Sequence, residues 1–225
     1  MLDTSVIMSL KTRLLSLGFD GGMEEKLMSR MCFSEDSFLL HFNHVNGNDS
    51  CHYSVKVEKT DKEGYDIPYF IAVLRKGIML NELLKPYDRK MEKINWLQIA
   101  EARGSSKQIV VPLEMIQEAT LLLKELAGIE DSTLILYKYW VDTPLEALVP
   151  NLSAIKARQE ISQRFYVVDE VHTISAQEAF KFLQNRWVEK KFHLQRQLLA
   201  TASDPERKSS IIHGAGKKKK KPAKK

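Results

Sequence analysis

The chain reads as an α+β protein, and three observations carry that reading. Within residues 37–76, the runs 38–45 and 51–58 alternate their side chains between two faces at a period of two, the mark of half-buried strands, and a third run over 67–74 is apolar throughout. Apolar residues at helical spacing fill the first 33 positions and return from residue 85 onward. The chain then closes on KKKKKPAKK at 217–225, a block of like charge with too little apolar surface to offset its ordering entropy. The expected architecture is an antiparallel β-meander of about four strands packed with an N-terminal helical hairpin, a helical middle region and a long C-terminal helix, followed by a disordered basic tail. With 225 residues and 44% hydrophobic content, such a core needs no disulfide or metal. The expected organisation is one body over 1–203, with possible sub-units at 1–78 and 79–203, and a tail over 204–225.

The first helix follows from Val6, Ile7, Leu10, Leu14 and Leu17, with Gly18 as a left-handed stop. After a turn at Asp20-Gly21-Gly22, the residues Met23, Leu27, Met28 and Met31 form a second stripe, read as core packing in a helical hairpin.

The strands come next. Phe38, Leu40, Phe42 and His44 share one face of a run that turns at Asn46-Gly47-Asn48-Asp49 into a second run bearing Cys51, Tyr53, Val55 and Val57. A register placing Phe42 opposite Tyr53, Leu40 opposite Val55 and Phe38 opposite Val57 keeps the apolar residues together, and a slip of one residue would scatter them. A third strand over 67–74 follows the turn Asp61-Lys62-Glu63-Gly64. It is apolar on both faces, so it wants a further neighbour, and 165–174 is the segment chosen as the fourth strand.

In the middle region, Met91, Ile94, Leu97 and Ala100 mark one helix. Pro112 starts another, with Met115, Ile116, Ala119, Leu122, Leu123 and Leu126 as its stripe and Gly128 as its end. Residues 131–141 suit a strand or a buried helix equally. Thr143-Pro144 and Asn151 read as successive helix starts. Ser175 and Glu178 form a capping box for the final helix, whose expected buried stripe is Ala179, Phe180, Leu183, Trp187, Leu194 and Leu198.

Two cysteines are too few for a secreted disulfide framework, the N-terminus carries Asp3, Lys11 and Arg13 within its apolar pattern, and no apolar run approaches bilayer length. The expected location is the cytoplasm. His41, His44, Cys51 and His52 invite a metal reading, but the hairpin register sends His41 and His52 to the face opposite His44 and Cys51, and paired zinc spacings are absent. No metal or cofactor is expected. Tyr166-Val167-Val168-Asp169-Glu170-Val171-His172 is similar to the Walker B strand of DExH helicases, in which an Asp holds magnesium through nucleotide phosphates. That chemistry needs a phosphate-cradling loop, and none precedes the motif. Without it, Asp169 and Glu170 read as polar residues on an edge or outer face of a strand, and a nucleotide-dependent enzyme using Asp169, Glu170 and His172 is the least favoured reading. Signatures of other enzyme classes are also missing, so the reading is of a non-enzymatic protein.

Charge supplies the functional expectation. The chain has 34 Lys plus Arg against 29 Asp plus Glu; taking away the seven lysines of 217–225 leaves 27 against 29. The basic character therefore belongs to the tail. Lys217, Lys218, Lys219, Lys220, Lys221, Lys224 and Lys225 are the expected contacts to DNA or RNA, because lysine neutralises phosphates without reading bases. Lys190, Lys191 and Arg196 on the final helix extend that basic surface, and the body is left to dock a protein partner. The alternative is an assembly protein whose tail keeps it soluble.

The opening layout, Leu10, Leu14 and Leu17 leading to Gly18-Phe19-Asp20-Gly21-Gly22, then 23–31 and Phe38-Leu39-Leu40, resembles a group of uncharacterised proteins from Bacteroidota mobile elements. Those proteins also continue into strands, here 69–76, and commonly end in basic low-complexity tails. The resemblance covers roughly the first 80 residues and the tail, and it implies a genomic setting rather than a mechanism.

Overall fold

Four strands form one antiparallel sheet in the order β1-β2-β3-β4, comprising β1 (Ser37–Asn46), β2 (Asp49–Lys59), β3 (Tyr65–Arg75) and β4 (Glu160–Tyr166). The computed structural model describes residues 4–20, 23–33, 35–60, 64–104, 110–168 and 173–202. The Asp169, Glu170 and His172 motif and all the tail lysines lie outside these described residues.

The expected hairpin register is observed: Phe38 faces Val57, Leu40 faces Val55, Phe42 faces Tyr53 and His44 faces Cys51. Val55 then meets Phe70, which meets Phe165, so a continuous apolar face crosses all four strands. Two helices pack on that face from the N-terminal side, α1 (Thr4–Ser16) and α2 (Met23–Cys32). Gly18 terminates the first turn of chain after α1 at φ +83, a left-handed conformation that costs an L side chain but not glycine. The methionine stripe is core at Met23 and Met31, whereas Met28 is exposed.

The fourth strand lies at Glu160–Tyr166, five residues earlier than the 165–174 expected. Alternation resumes immediately after the preceding helix, and Phe165 is the buried anchor. The ladder ends where Val167 donates its N–H to the Pro68 carbonyl. Pro68 has no N–H to return, so the pairing stops there and the apolar Val167-Val168 pair falls beyond the sheet.

Between β3 and β4 the chain builds a second hydrophobic core from α3 (Lys85–Lys93), α4 (Trp96–Gly104), α5 (Leu113–Leu126), α6 (Ser132–Trp140) and α7 (Leu152–Gln159), with a 3-10 turn at Pro144–Leu148. The single helix expected through Met91, Ile94, Leu97 and Ala100 is two. Ile94 is extended, and the Asn95 side-chain carbonyl accepts the Gln98 N–H to begin a new helix. This break rephases the stripe onto buried Trp96 and Ala100 and leaves Leu97 half exposed. Residues 131–141 resolve as α6. Around this helix only Lys138 is exposed after Asp131, which explains the missing polar face that would have given it helical periodicity.

The last helix, α8 (Ala176–Ala202), carries the expected capping box. The Ser175 N–H and hydroxyl donate to the Glu178 carboxylate at 2.9 and 2.8 Å. Its buried stripe ends earlier than expected: Ala179, Phe180, Leu183 and Trp187 enter the sheet core, but Leu194 and Leu198 are exposed because the helix runs past the body. The sheet core is thus assembled from both ends of the chain, and the helical core is inserted between them. Its N-terminal boundary falls near residue 78, and β4 and α8 return to the first core.

Candidate functional site

The sheet's second face carries the polar chemistry. Strand alternation puts four rungs there, each read from β1 to β4: Val45, Ser50, Arg75, Glu160; Asn43, His52, Val73, Ser162; His41, Ser54, Ile71, Arg164; and Leu39, Lys56, Tyr69, Tyr166. All of these residues are exposed or half-buried, in contrast to the opposite face.

One end of this face is closed by an ion network. Arg75 donates Nε–H to Glu160 Oε1 at 2.8 Å and Nη2–H to Asp142 Oδ1 at 2.9 Å, with Nη1 also on Asp142. The Tyr137 hydroxyl donates to Glu160 Oε1 at 2.5 Å. Arg75 and Glu160 belong to the sheet, while Tyr137 and Asp142 belong to the helical unit, so the network fastens the two cores together. Burial works against the charge of Asp142, but its hydrogen bonds to Arg75 and the guanidinium charge prevail and hold its carboxyl below the ordinary range. For Tyr137, burial and the bond to Glu160 push the phenol upward.

Beside the network stands a histidine pair. His52 Nδ1 lies 2.6 Å from Asn43 Oδ1, and His52 Nε2 lies 3.2 Å from His41 Nδ1, with the rings stacked at 5.3 Å. An acceptor at Asn43 assigns the His52 proton to Nδ1, which leaves Nε2 to accept from His41. Burial lowers the His52 pKa despite the Asp142 charge 3.9 Å away, favouring the neutral ring that this relay requires. His44 and Cys51 stand on the core face, as the register requires. No group of three His, Cys, Asp or Glu side chains among the described residues is placed to hold a metal ion.

The far corner of the face is aromatic and basic. Tyr69 and Tyr166 sit directly opposite each other on β3 and β4, ring centroids 6.2 Å apart and inclined at 67°. The Arg164 guanidinium carbon lies 4.4 Å above the Tyr69 ring. Tyr166 is 62% exposed. Sequence reading passed over this corner because its residues lie far apart in the chain; only the β3–β4 register reveals them as neighbours.

The three helix residues expected to bind nucleic acid are placed differently. Lys190 points back to the body and donates to the carbonyls of Ala157 and Glu160 at 2.6 and 3.0 Å, whereas Lys191 and Arg196 are exposed on the overhanging part of α8. A cleft of about 650 Å³ lies between the end of α1, the β1–β2 hairpin and the start of α8, lined by Phe19, His44, Tyr53, Phe180 and Lys181. The hydroxyl of buried Tyr53 in its lining already donates to the Ala176 carbonyl at 2.9 Å.

The fold defines an α+β protein: a four-stranded antiparallel meander with one helix-covered face, one open polar face and an inserted helical unit. No protein-family model, curated protein or solved structure matches the chain. Among the described residues, no helix is long and apolar enough to cross a membrane.

Proposed function

We propose that this is a non-enzymatic accessory protein of the cytoplasm that binds DNA or RNA without sequence preference through Lys217, Lys218, Lys219, Lys220, Lys221, Lys224 and Lys225, while its folded body docks a partner. The single observation that carries the reading is the division of charge: seven lysines in the last nine residues, against 27 basic and 29 acidic residues in the remainder. Lysines that neutralise phosphates release condensed counterions, which gives affinity without base recognition. Lys191 and Arg196, exposed on α8, extend that basic surface toward the body. The mobile-element setting suggested by the opening residues belongs to this same proposal.

The test is the salt dependence of binding. If all seven lysines engage duplex phosphates, the log-log slope of affinity against salt approaches about −6, from about −0.9 per contact. Removing 217–225 is expected to abolish most of that slope. A truncated protein that binds as tightly, with the same slope, would rule the tail out.

A second reading is favoured by one observation. Beyond Trp187, α8 exposes Phe192 and Leu194, apolar side chains suited to a protein partner. Under that reading the chain is an assembly protein, its partner is captured equally with and without 217–225, and no nucleic acid accompanies it at physiological salt.

A further inference from the structure

We propose that the corner of the open sheet face formed by Tyr69, Arg164 and Tyr166 is a stacking platform for single-stranded nucleic acid. This inference rests on the nucleic-acid reading above and names the form of nucleic acid that the folded body selects.

Exposure sets the geometry. Tyr166 is 62% exposed on the edge strand β4, directly opposite Tyr69. The Arg164 guanidinium carbon lies 4.4 Å over the Tyr69 ring, and Arg164 is an exposed residue. A tyrosine ring and a guanidinium plane side by side are the two surfaces on which an unstacked base is held, and neither discriminates strongly among bases. Bases inside a duplex are already stacked on their neighbours and cannot reach such a flat platform. A single strand can.

Charge complementarity points the same way. Of the cations on this face, Arg75 is bound by Asp142 and Glu160, and Lys56 lies 3.8 Å from Glu58. Arg164 has no carboxylate partner among the described residues. The missing counter-charge is an anion arriving from solvent, and a phosphate adjoining a base stacked on Tyr166 supplies it. Lys56, on the same rung as Tyr69 and Tyr166, lies two strand spacings from β4, about 10 Å at 4.8 Å per strand. That distance accommodates one or two nucleotides laid across the strands. The β3 residue between them on that rung is Tyr69, so the platform ring lies on the path from Lys56 to Tyr166.

The experiment measures binding of the full chain to labelled oligothymidine, oligouridine and a DNA duplex of equal length across a salt series. The intact protein is expected to bind single strands more tightly than duplex, with the two oligonucleotides separating DNA from RNA preference. Tyr166→Ala is expected to weaken single-strand binding about 10-fold, the scale of one lost base–aromatic stack, while leaving duplex affinity and the salt slope unchanged. Tyr166→Phe, which keeps the ring, retains parental binding. Arg164→Ala, which also removes one phosphate contact, is expected to weaken single-strand binding selectively with a single-strand salt slope shallower by about 0.7, and it stands in if Tyr166→Ala does not fold. Equal loss on duplex and single strand, no loss in either alanine variant, or a parental preference for duplex overturns the platform. Removal of 217–225 separates the two proposals: loss of the salt slope with the Tyr166 effect intact supports both, an unchanged slope with that effect intact overturns only the tail, and a Tyr166 effect that vanishes with the tail overturns the platform.

Discussion

The two faces of one sheet share a backbone and differ in nearly everything else. On the covered face, Phe70 is fully buried between Phe19, Tyr53 and Phe165, with centroid distances of 5.4, 6.2 and 5.3 Å. One residue along on the same strand, Tyr69 faces out beneath Arg164. Alternation at a period of two turns one strand into half of a core and half of a surface. The lesson is that stability and recognition are separated by the pleat here, so substitutions one position apart are expected to fail in different ways.

The largest expected effect lies on the covered face. Phe70→Ala removes a ring from a site with no solvent access, and the expected cost is about 3–5 kcal/mol. Denaturant unfolding measures it. A cost below about 1 kcal/mol would mean that this face packs loosely and that the two faces differ less than their burial suggests.

How much of this was legible in the sequence depended on whether a residue's role was local. The hairpin register was readable because Phe38, Leu40 and Phe42 must meet Val57, Val55 and Tyr53, and a two-residue turn at Gly47 fixes their pairing. The capping box at Ser175 and the stop at Gly18 were readable for the same reason. The β4 boundary was misplaced because its end is fixed by Pro68, nearly a hundred residues earlier, whose missing N–H cannot be felt by a local pattern. The identity of α6 was hidden by burial on almost every side, which erases periodicity. Leu194 and Leu198 continued the stripe of α8 in sequence, and only the extent of the sheet decided that the body stops before them. At the site, the lysine run was obvious. The ion network and the aromatic corner were not, because Arg75, Asp142 and Glu160, like Tyr69 and Arg164, meet only once the helical insertion has been folded out of the way between β3 and β4.

A smaller effect belongs to the closed end of the open face, where Arg75 and Glu160 are mostly buried with side-chain exposures of 14% and 13%. Arg75→Ala leaves the Glu160 carboxylate with the Tyr137 hydroxyl alone among the described residues and deprives Asp142 of its guanidinium; the expected loss is about 2 kcal/mol, the scale of hydrogen bonds to charged groups. Its pH dependence identifies the groups. Asp142 has a folded pKa below its ordinary 3.8, so its contribution is present above that value and is lost as pH falls through the folded one. His52 is lowered from 6.5, by burial foremost, with Asp142 and Glu160 opposing and Arg75 and His41 assisting; the unfolded chain takes up its proton first, and stability declines as pH falls below about 6.5. Unfolding free energy across acid pH is therefore expected to fall in two steps, the upper one removed by His52→Gln and the lower one reduced by Asp142→Asn, with the capping-box carboxylate of Glu178, held low by its hydrogen bonds from Ser175, contributing the remainder. An upper step that survives His52→Gln would assign that titration elsewhere.

The smallest expected effect is the most useful one for the open face. Tyr166 is exposed on an edge strand, and its packing consists of a tilted ring contact with Tyr69 and the neighbouring Arg164 guanidinium. Cross-strand aromatic pairs contribute on the order of 0.2–1 kcal/mol, so Tyr166→Ala is expected to cost about 0.5 kcal/mol in urea unfolding, with an unchanged denaturant slope. A loss of 2 kcal/mol or more would place Tyr166 within the structural fabric of the sheet, and a binding defect in the same variant could no longer be assigned to the surface. A small loss, measured beside a 10-fold fall in single-strand affinity, would show that the pleat has left this ring free for recognition while its neighbour Phe70 holds the fold.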